Sequence, residues 1–249
     1  MQDVLRRIRV VLVGTTHPGN IGSTVRAMKT MGLSDLVLVD PQRFPAAEAT
    51  ALAAGADDLL ARARVAPDLA GAIDDCIWVT GTSARRRGHS VPPLAPEPAA
   101  QALLERARAG TVALVFGRES SGLTNDELDR CNSLVQIPTD PGFSSLNLAA
   151  AVQVMAYTCR AKALSLAEAP VPDYDPDPPA TQAQLDDLFE HFQRTLVAIE
   201  FLDPDKPRHL MRRLRHLYLR TGLTRSEVAI LRGILTHTER GGGRPQGRP

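Results

Sequence analysis

Short runs of β-branched residues and leucines recur through the first two thirds of the chain. They are IRVVLV (8–13), LVLV (36–39), CIWVTG (76–81), VALVFG (112–117) and LVQIP (134–138). Each run is apolar at consecutive positions, which predicts strands buried on both faces of a parallel sheet. Stretches with apolar residues every three to four positions separate them, as in Ile21, Val25 and Met28, which predict a helix over 21–31. The alternation of the two periods implies a βαβ series and an α/β fold over residues 1–164. The pattern then breaks. Residues 165–180, including LAEAPVPDYDPDPPA (166–180), are dense in Pro and Asp, and the segment reads as a stiff, extended linker. Beyond it Leu185, Leu188, Phe189, Phe192, Leu196 and Ile199 keep helical spacing, and further helices are predicted around Leu210–Leu219 and Glu227–Thr236. Thr181 with Gln184, and Thr224 with Glu227, have the spacing of capping boxes. Residues 181–240 therefore form a small all-α extension, and the tail GGGRPQGRP (241–249) is expected to be disordered.

Three polar clusters interrupt this pattern where strands give way to helices. The first, GTTHPGNIG (14–22), follows a strand directly, so backbone N–H groups at a helix start would face an anion. Its spacing is neither G-x-G-x-x-G nor G-x-x-x-x-G-K-[ST], and a tight turn with Asn20 as N-cap explains it equally well. Arg26 lies off the apolar stripe, beside Lys29. A guanidinium there suits a phosphate, and it equally suits a solvated helix face. The second cluster, FGRESSGLTNDEL (116–128), places two glycines, Gly117 and Gly122, around Arg118 and Glu119, which could meet a ligand or simply pair with each other. Thr124 and Glu127 have capping-box spacing. In the third, PGFSSLNLAAAVQVMAY (141–157), Ser144, Ser145 and Asn147 stand at the mouth of an alanine-rich helix. Capping would account for one of them.

Composition narrows the class without selecting a function. The 249 residues are 43% hydrophobic and 23% charged, an ordinary globular mixture that excludes collagen-like and disordered chains. The formal charge of +1 hides a gradient: residues 1–164 carry 17 basic and 16 acidic side chains, 165–180 four acidic and none basic, and 181–249 twelve basic and eight acidic. Cys76, Cys131 and Cys159 lack metal-ligand spacing and read as buried small hydrophobes in a reducing compartment, so no metal is expected. No run is long enough for a membrane span, and a cytoplasmic location is expected.

Taken together, N-x-G-x-x-x-R at Asn20–Arg26, G-R-E-x-x-G-L at Gly117–Leu123 and S-L-N at Ser145–Asn147 resemble the three motifs of the SPOUT superfamily of knotted methyltransferases, in its ribose 2′-O-methylating branch. HPGNIGSTVRAMKTMG, GTSAR and FLDPDKPRHLMRRLRHLYLRTGLTRSEVAILRGIL extend the likeness, over about residues 8–238, to bacterial tRNA (cytidine/uridine-2′-O-)-methyltransferases acting at position 32 of the anticodon loop. The resemblance implies a C-terminal trefoil knot in the α/β domain, S-adenosylmethionine as cofactor, tRNA as partner and a homodimer in which Arg26 faces the cofactor of the other subunit. It implies that Thr82, Ser83 and Ala84, then Gly117, Glu119 and Gly122, then Ile137, Ser144, Ser145, Leu146 and Asn147 enclose the cofactor. Arg26 is the principal catalytic candidate. The resemblance implies that it is the base; a guanidinium stays protonated and is a poor one, so the favoured role is to orient the target phosphate and stabilise the incipient alkoxide, with Asn20 and Ser145 positioning the ribose.

RNA contacts are expected from Arg85, Arg86 and Arg118, and from the basic end segment through Arg208, Arg212, Arg215 and Arg220 with His209 and His216, though solvated turns and helix faces would present the same residues. Aromatic residues are 4% of the chain, too few for base-stacking platforms. Three other readings compete. The enzyme could act at another tRNA or rRNA site, or the chain could be an RNA-binding scaffold without cofactor. Residues 207–238 could also form a helix-turn-helix DNA reader. Against the last, residues 224–239 contain no Asn or Gln to read a base edge, so no DNA partner is expected.

Overall fold

The computed structural model describes residues 2–83, 92–166, 177–205 and 209–241. The described residues up to 166 form one compact unit and those from 177 a second.

The first unit runs α1 (Gln2–Arg6), β1 (Ile8–Val13), α2 (Pro18–Met31), β2 (Asp35–Val39), α3 (Ala47–Ala53), α4 (Asp57–Ala61), β3 (Arg64–Ala66), α5 (Leu69–Ile73), β4 (Trp78–Thr82), α6 (Pro96–Ala107), β5 (Val112–Phe116), α7 (Asn125–Leu128), β6 (Ser133–Val135) and α8 (Leu148–Leu166). The strands form one sheet in the order β3-β2-β1-β5-β4-β6, and every pairing is parallel. The five expected strands are present, and β3 is an addition at the edge.

The apolar runs are long because the sheet is covered on both sides. Alternate residues of each strand enter different cores. Val10, Leu12, Leu36, Leu38, Leu114 and Phe116 pack with apolar residues of α2, α3, α6 and α8. Their neighbours Val11, Val13, Val37, Val39, Ala113 and Val115 pack with α5, α7 and Leu123. One residue in these runs is charged. Arg9, 4% exposed, donates to Asp35 (2.8 Å), the Ala72 carbonyl (2.9 Å) and both carboxylate oxygens of Asp75. A buried cation is tolerable only with such complete pairing.

Helix α2 begins earlier than expected. Pro18 takes the first helical position, where its missing N–H is no loss, and His17 is the N-cap. Asn20 is therefore not the N-cap; it lies inside the first turn, with its amide free for another task. Helix α8 continues to Leu166, past the expected boundary at 164.

The second unit contains α9 (Gln182–Ala198), α10 (Leu210–Leu219) and α11 (Arg225–Gly241) around a core of Ala180, Leu185, Leu188, Phe189, Leu219, Val228 and Leu235. The Thr181–Gln184 and Thr224–Glu227 capping boxes both form. The last residues of the expected linker pair with the segment before α11: Pro179 bridges Thr224 antiparallel, the Ala180 N–H donates to the Leu223 carbonyl (2.9 Å) and the Arg225 N–H to the Pro178 carbonyl (2.8 Å), and Ala180 is buried. The Asp/Pro sequence hid this contact because Ala180 alone supplies the apolar anchor. Residues 167–176 of the expected linker and 242–249 of the expected tail lie outside the described residues.

Candidate active site

The loops that follow β4, β5 and β6 leave the sheet at its carboxyl edge, next to the loop after β1. One cavity lies among them, lined by Thr82 and Ser83, by Phe116 to Leu123, by Val135, Ile137 and Thr139, by Ser144 to Leu146, and by Leu148 and Ala151. Of the residues expected to hold the cofactor, Thr82, Ser83, Gly117, Glu119, Gly122, Ile137, Ser144, Ser145 and Leu146 all line it. Asn147 stands outside it. Its side-chain oxygen accepts from the Ala149 and Ala150 N–H groups at 2.9 and 3.2 Å, capping α8. Ala84, Arg85, Arg86 and Arg208 lie outside the described residues.

Local chemistry explains how the loops hold their shape. After β5 the chain turns back on itself, with Arg118 and Gly122 exchanging both backbone hydrogen bonds (3.2 and 2.8 Å). Gly122 sits at φ 71°, a left-handed conformation that glycine adopts without strain. Gly117 answers a different demand: a Cβ there would fall 2.1 Å from the Gly122 carbonyl carbon. On the far wall the Thr82 hydroxyl donates to the Val115 carbonyl (3.0 Å) and the Ser83 N–H to the Val135 carbonyl (3.0 Å), tying the β4 exit to both neighbouring strands.

Arg118 and Glu119 do not pair with each other. Arg118 binds Glu127 through both terminal nitrogens at 3.0–3.1 Å, and Glu127 also completes the Thr124 capping box. The guanidinium expected to meet RNA is thus neutralised within its own loop. Glu119 points the other way. Its carboxylate accepts from the N–H groups of Thr16 (3.1 Å) and His17 (3.3 Å) and from the Asn20 amide (3.0 Å). The anion-ready start of α2 is therefore filled by a carboxylate of the chain itself. Partial burial pushes the Glu119 carboxyl upward, but the Asn20 amide and the Thr16 and His17 N–H groups outweigh it and hold it below its ordinary range. It stays ionised at neutral pH.

Asn20 also accepts from the Asn147 amide (2.9 Å). Residues from all three sequence clusters are so joined in one chain: α2 start, Glu119, Asn20, Asn147, α8 start. Both ends of the Asn20 amide are engaged, one by Glu119 and the other by Asn147, so that Asn20 braces the loops. Sequence reasoning missed this brace because partners 99 and 127 positions apart leave no local pattern. Arg26 projects from α2 into solvent, does not line the cavity, and its side chain makes no ion pair among the described residues.

The cavity joins apolar walls (Phe116, Val135, Ile137, Leu148) to a ring of hydroxyls from Ser and Thr, and its electrostatics are one-sided. Among the described residues Glu119 is the single carboxylate lining it, and the single cation, Arg118, is paired with Glu127. Such a site favours a ligand with an apolar ring and a positive charge. Among the described residues no group of His, Cys, Asp and Glu side chains is placed to hold a metal ion.

A parallel sheet with the loops of β4, β5 and β6 gathered around one cavity is the fold of the SPOUT methyltransferases. Residues 7–157 match the SpoU rRNA methylase family, to which this chain belongs, and residues 183–247 match the C-terminal domain of the tRNA methyltransferase TrmJ. The tRNA (cytidine/uridine/adenosine-2′-O-)-methyltransferase TrmJ of Pseudomonas aeruginosa is 51% identical over 245 residues, 95% of either chain. The tRNA (cytidine/uridine-2′-O-)-methyltransferase TrmJ of Pectobacterium atrosepticum is 44% identical, covering 95% of this chain and 98% of its own. The crystal structure of TrmJ from Z. mobilis ZM4 superimposes with a TM-score of 0.80 at 35% identity, over 93% of this chain and 98% of that one.

Proposed function

We propose that the chain transfers a methyl group from S-adenosylmethionine to the ribose 2′-oxygen of cytidine or uridine at position 32 of tRNA. The observation that carries this reading is a cavity whose described lining includes the Glu119 carboxylate, in a chain whose relatives are named as tRNA 2′-O-methyltransferases over nearly their full length. The donor is a sulfonium cation with an apolar adenine. Phe116, Ile137 and Leu148 suit the ring, backbone and hydroxyl groups of Thr82, Ser83 and Ser144 suit its polar edges, and Glu119 suits the positive charge.

When bound, the cofactor supplies the electrophilic methyl; the chain supplies alignment and charge. Ser145 lines the cavity and is exposed, and we assign it to hold the ribose. Arg26 orients the phosphate of the target nucleotide and stabilises the negative charge that grows on the attacking oxygen. Because Arg26 does not line the cavity of its own chain, we assign it to the cavity of a second copy, in a homodimer. The trefoil knot belongs to the same reading, as does a location in the cytoplasm. Chemistry at the sugar leaves the base largely unread, which fits relatives whose names differ by adenosine.

Calorimetric titration with S-adenosylmethionine, alongside a methyl-transfer assay, tests the division of labour. Arg26→Ala is expected to abolish transfer while binding the cofactor within about twofold of the parent chain. Loss of cofactor binding in that variant would refute the assignment.

A further inference from the structure

Helix α10 concentrates positive charge. From His209 to Leu223 the sequence HLMRRLRHLYLRTGL holds four arginines, two histidines and no carboxylate. The helical carboxylates of this unit lie on α9 and α11: Asp186, Asp187, Glu190, Glu227 and Glu239. Helical geometry divides the arginines. Arg215 stands about 200° around the helix from Arg213 and faces α9, where it donates to Asp186 (2.7 Å) and lies 4.5 Å over the Phe189 ring. Arg212 is half-buried with its Nε enclosed. Arg213, Leu217 and Arg220 are spaced i, i+4 and i+7, fall within an arc of roughly 60°, and are all exposed, Leu217 by 43%. Neither the Arg213 nor the Arg220 side chain has a hydrogen bond or ion pair among the described residues. By contrast Arg194, Arg215 and Arg232 pair with Glu239, Asp186 and Asp187.

We propose that the Arg213–Leu217–Arg220 stripe is the surface by which this unit grips the phosphate backbone of tRNA, an assignment that rests on the tRNA reading above. Two unpaired guanidiniums about 10 Å apart along one helix face, with no carboxylate on that helix, repel each other until a polyanion compensates them. Arginine meets phosphate with paired donors, and such contacts fix register without reading sequence. No aromatic ring lies on the stripe; Tyr218, the nearest, is stacked on Phe192 at 5.2 Å inside the unit. The surface therefore reads backbone and shape rather than stacked bases. Arg215, expected from the sequence to contact RNA, is a structural residue in this arrangement.

The test is binding of an unmodified tRNA transcript by the full chain, followed between 50 and 200 mM salt. Replacing both cations (R213A/R220A) is expected to weaken binding about tenfold and to make the slope of log K against log salt shallower by roughly 1.4–1.8, two contacts' worth. Affinity for S-adenosylmethionine and the circular dichroism spectrum should not change. Charge reversal (R213E/R220E) should weaken binding further, whereas R215A should lower thermal stability and leave the salt slope intact. If the parent chain binds tRNA and R213A/R220A keeps its affinity and slope, the stripe assignment is overturned and the tRNA reading stands. If the parent chain prefers duplex DNA or anionic vesicles to tRNA, both fall.

Discussion

Arg118 and Glu119 show how little adjacency in sequence decides about pairing. One closes on Glu127 within its own loop, and the other crosses to the start of α2. Because the folded chain holds the Glu119 carboxyl below its ordinary value of 4.5, its contribution to stability is present above that pH and is lost as pH falls through the lowered value. Glu119→Gln should thus cost about 1 kcal/mol between pH 6 and 8, and urea unfolding at a series of pH values should show the gap to the parent chain closing below pH about 4.5. The three cysteines offer a second check. Burial pushes the thiols of Cys76, Cys131 and Cys159 up to about 12, so at pH 8 a thiol reagent should label none in the native chain and all three after unfolding. Their burial was legible in the sequence from the absence of metal spacing. The Asn20–Glu119–Asn147 brace was not, since a side-chain hydrogen bond between distant loops leaves no periodic trace.

At the scale of elements, what the sequence revealed depended on how far an element's own residues determine it. The five core strands were legible because burial on both faces forces continuous apolar runs, and the three capping boxes because the motif is local. The strand β3 was not. Arg64 and Val65 are exposed, so an edge strand of three residues held by pairing to β2 shows no apolar run. Close packing between elements was equally hidden. A Cβ on Gly22 would lie 2.2 Å from the Ala49 carbonyl oxygen, so α2 and α3 touch through backbone. Gly22→Ala should separate the two helices and lower stability by about 3 kcal/mol in denaturant titration. Gly117→Ala, whose Cβ would strike the Gly122 backbone, should open the cavity loop and weaken S-adenosylmethionine binding at least tenfold in calorimetry, with a smaller loss of global stability.

For the whole molecule, the proposed homodimer makes the assembly part of the chemistry, because Arg26 does not line the cavity of its own chain. Arg26→Ala and a cavity-filling Ser145→Phe chain should each be inactive alone. Unfolded together and refolded as a mixture, they should regain transfer, because one of the two mixed sites then has both an intact cavity and an intact arginine. Sites contained within single chains would give no recovery. The central claim is tested most directly by incubating unmodified tRNA with the purified chain and S-adenosylmethionine and mapping the product by nuclease digestion and mass spectrometry. The account predicts one added methyl, on the ribose of nucleotide 32, and none with Arg26→Ala. A methyl found on a base, or a chain that binds the donor and transfers nothing to tRNA, would contradict it.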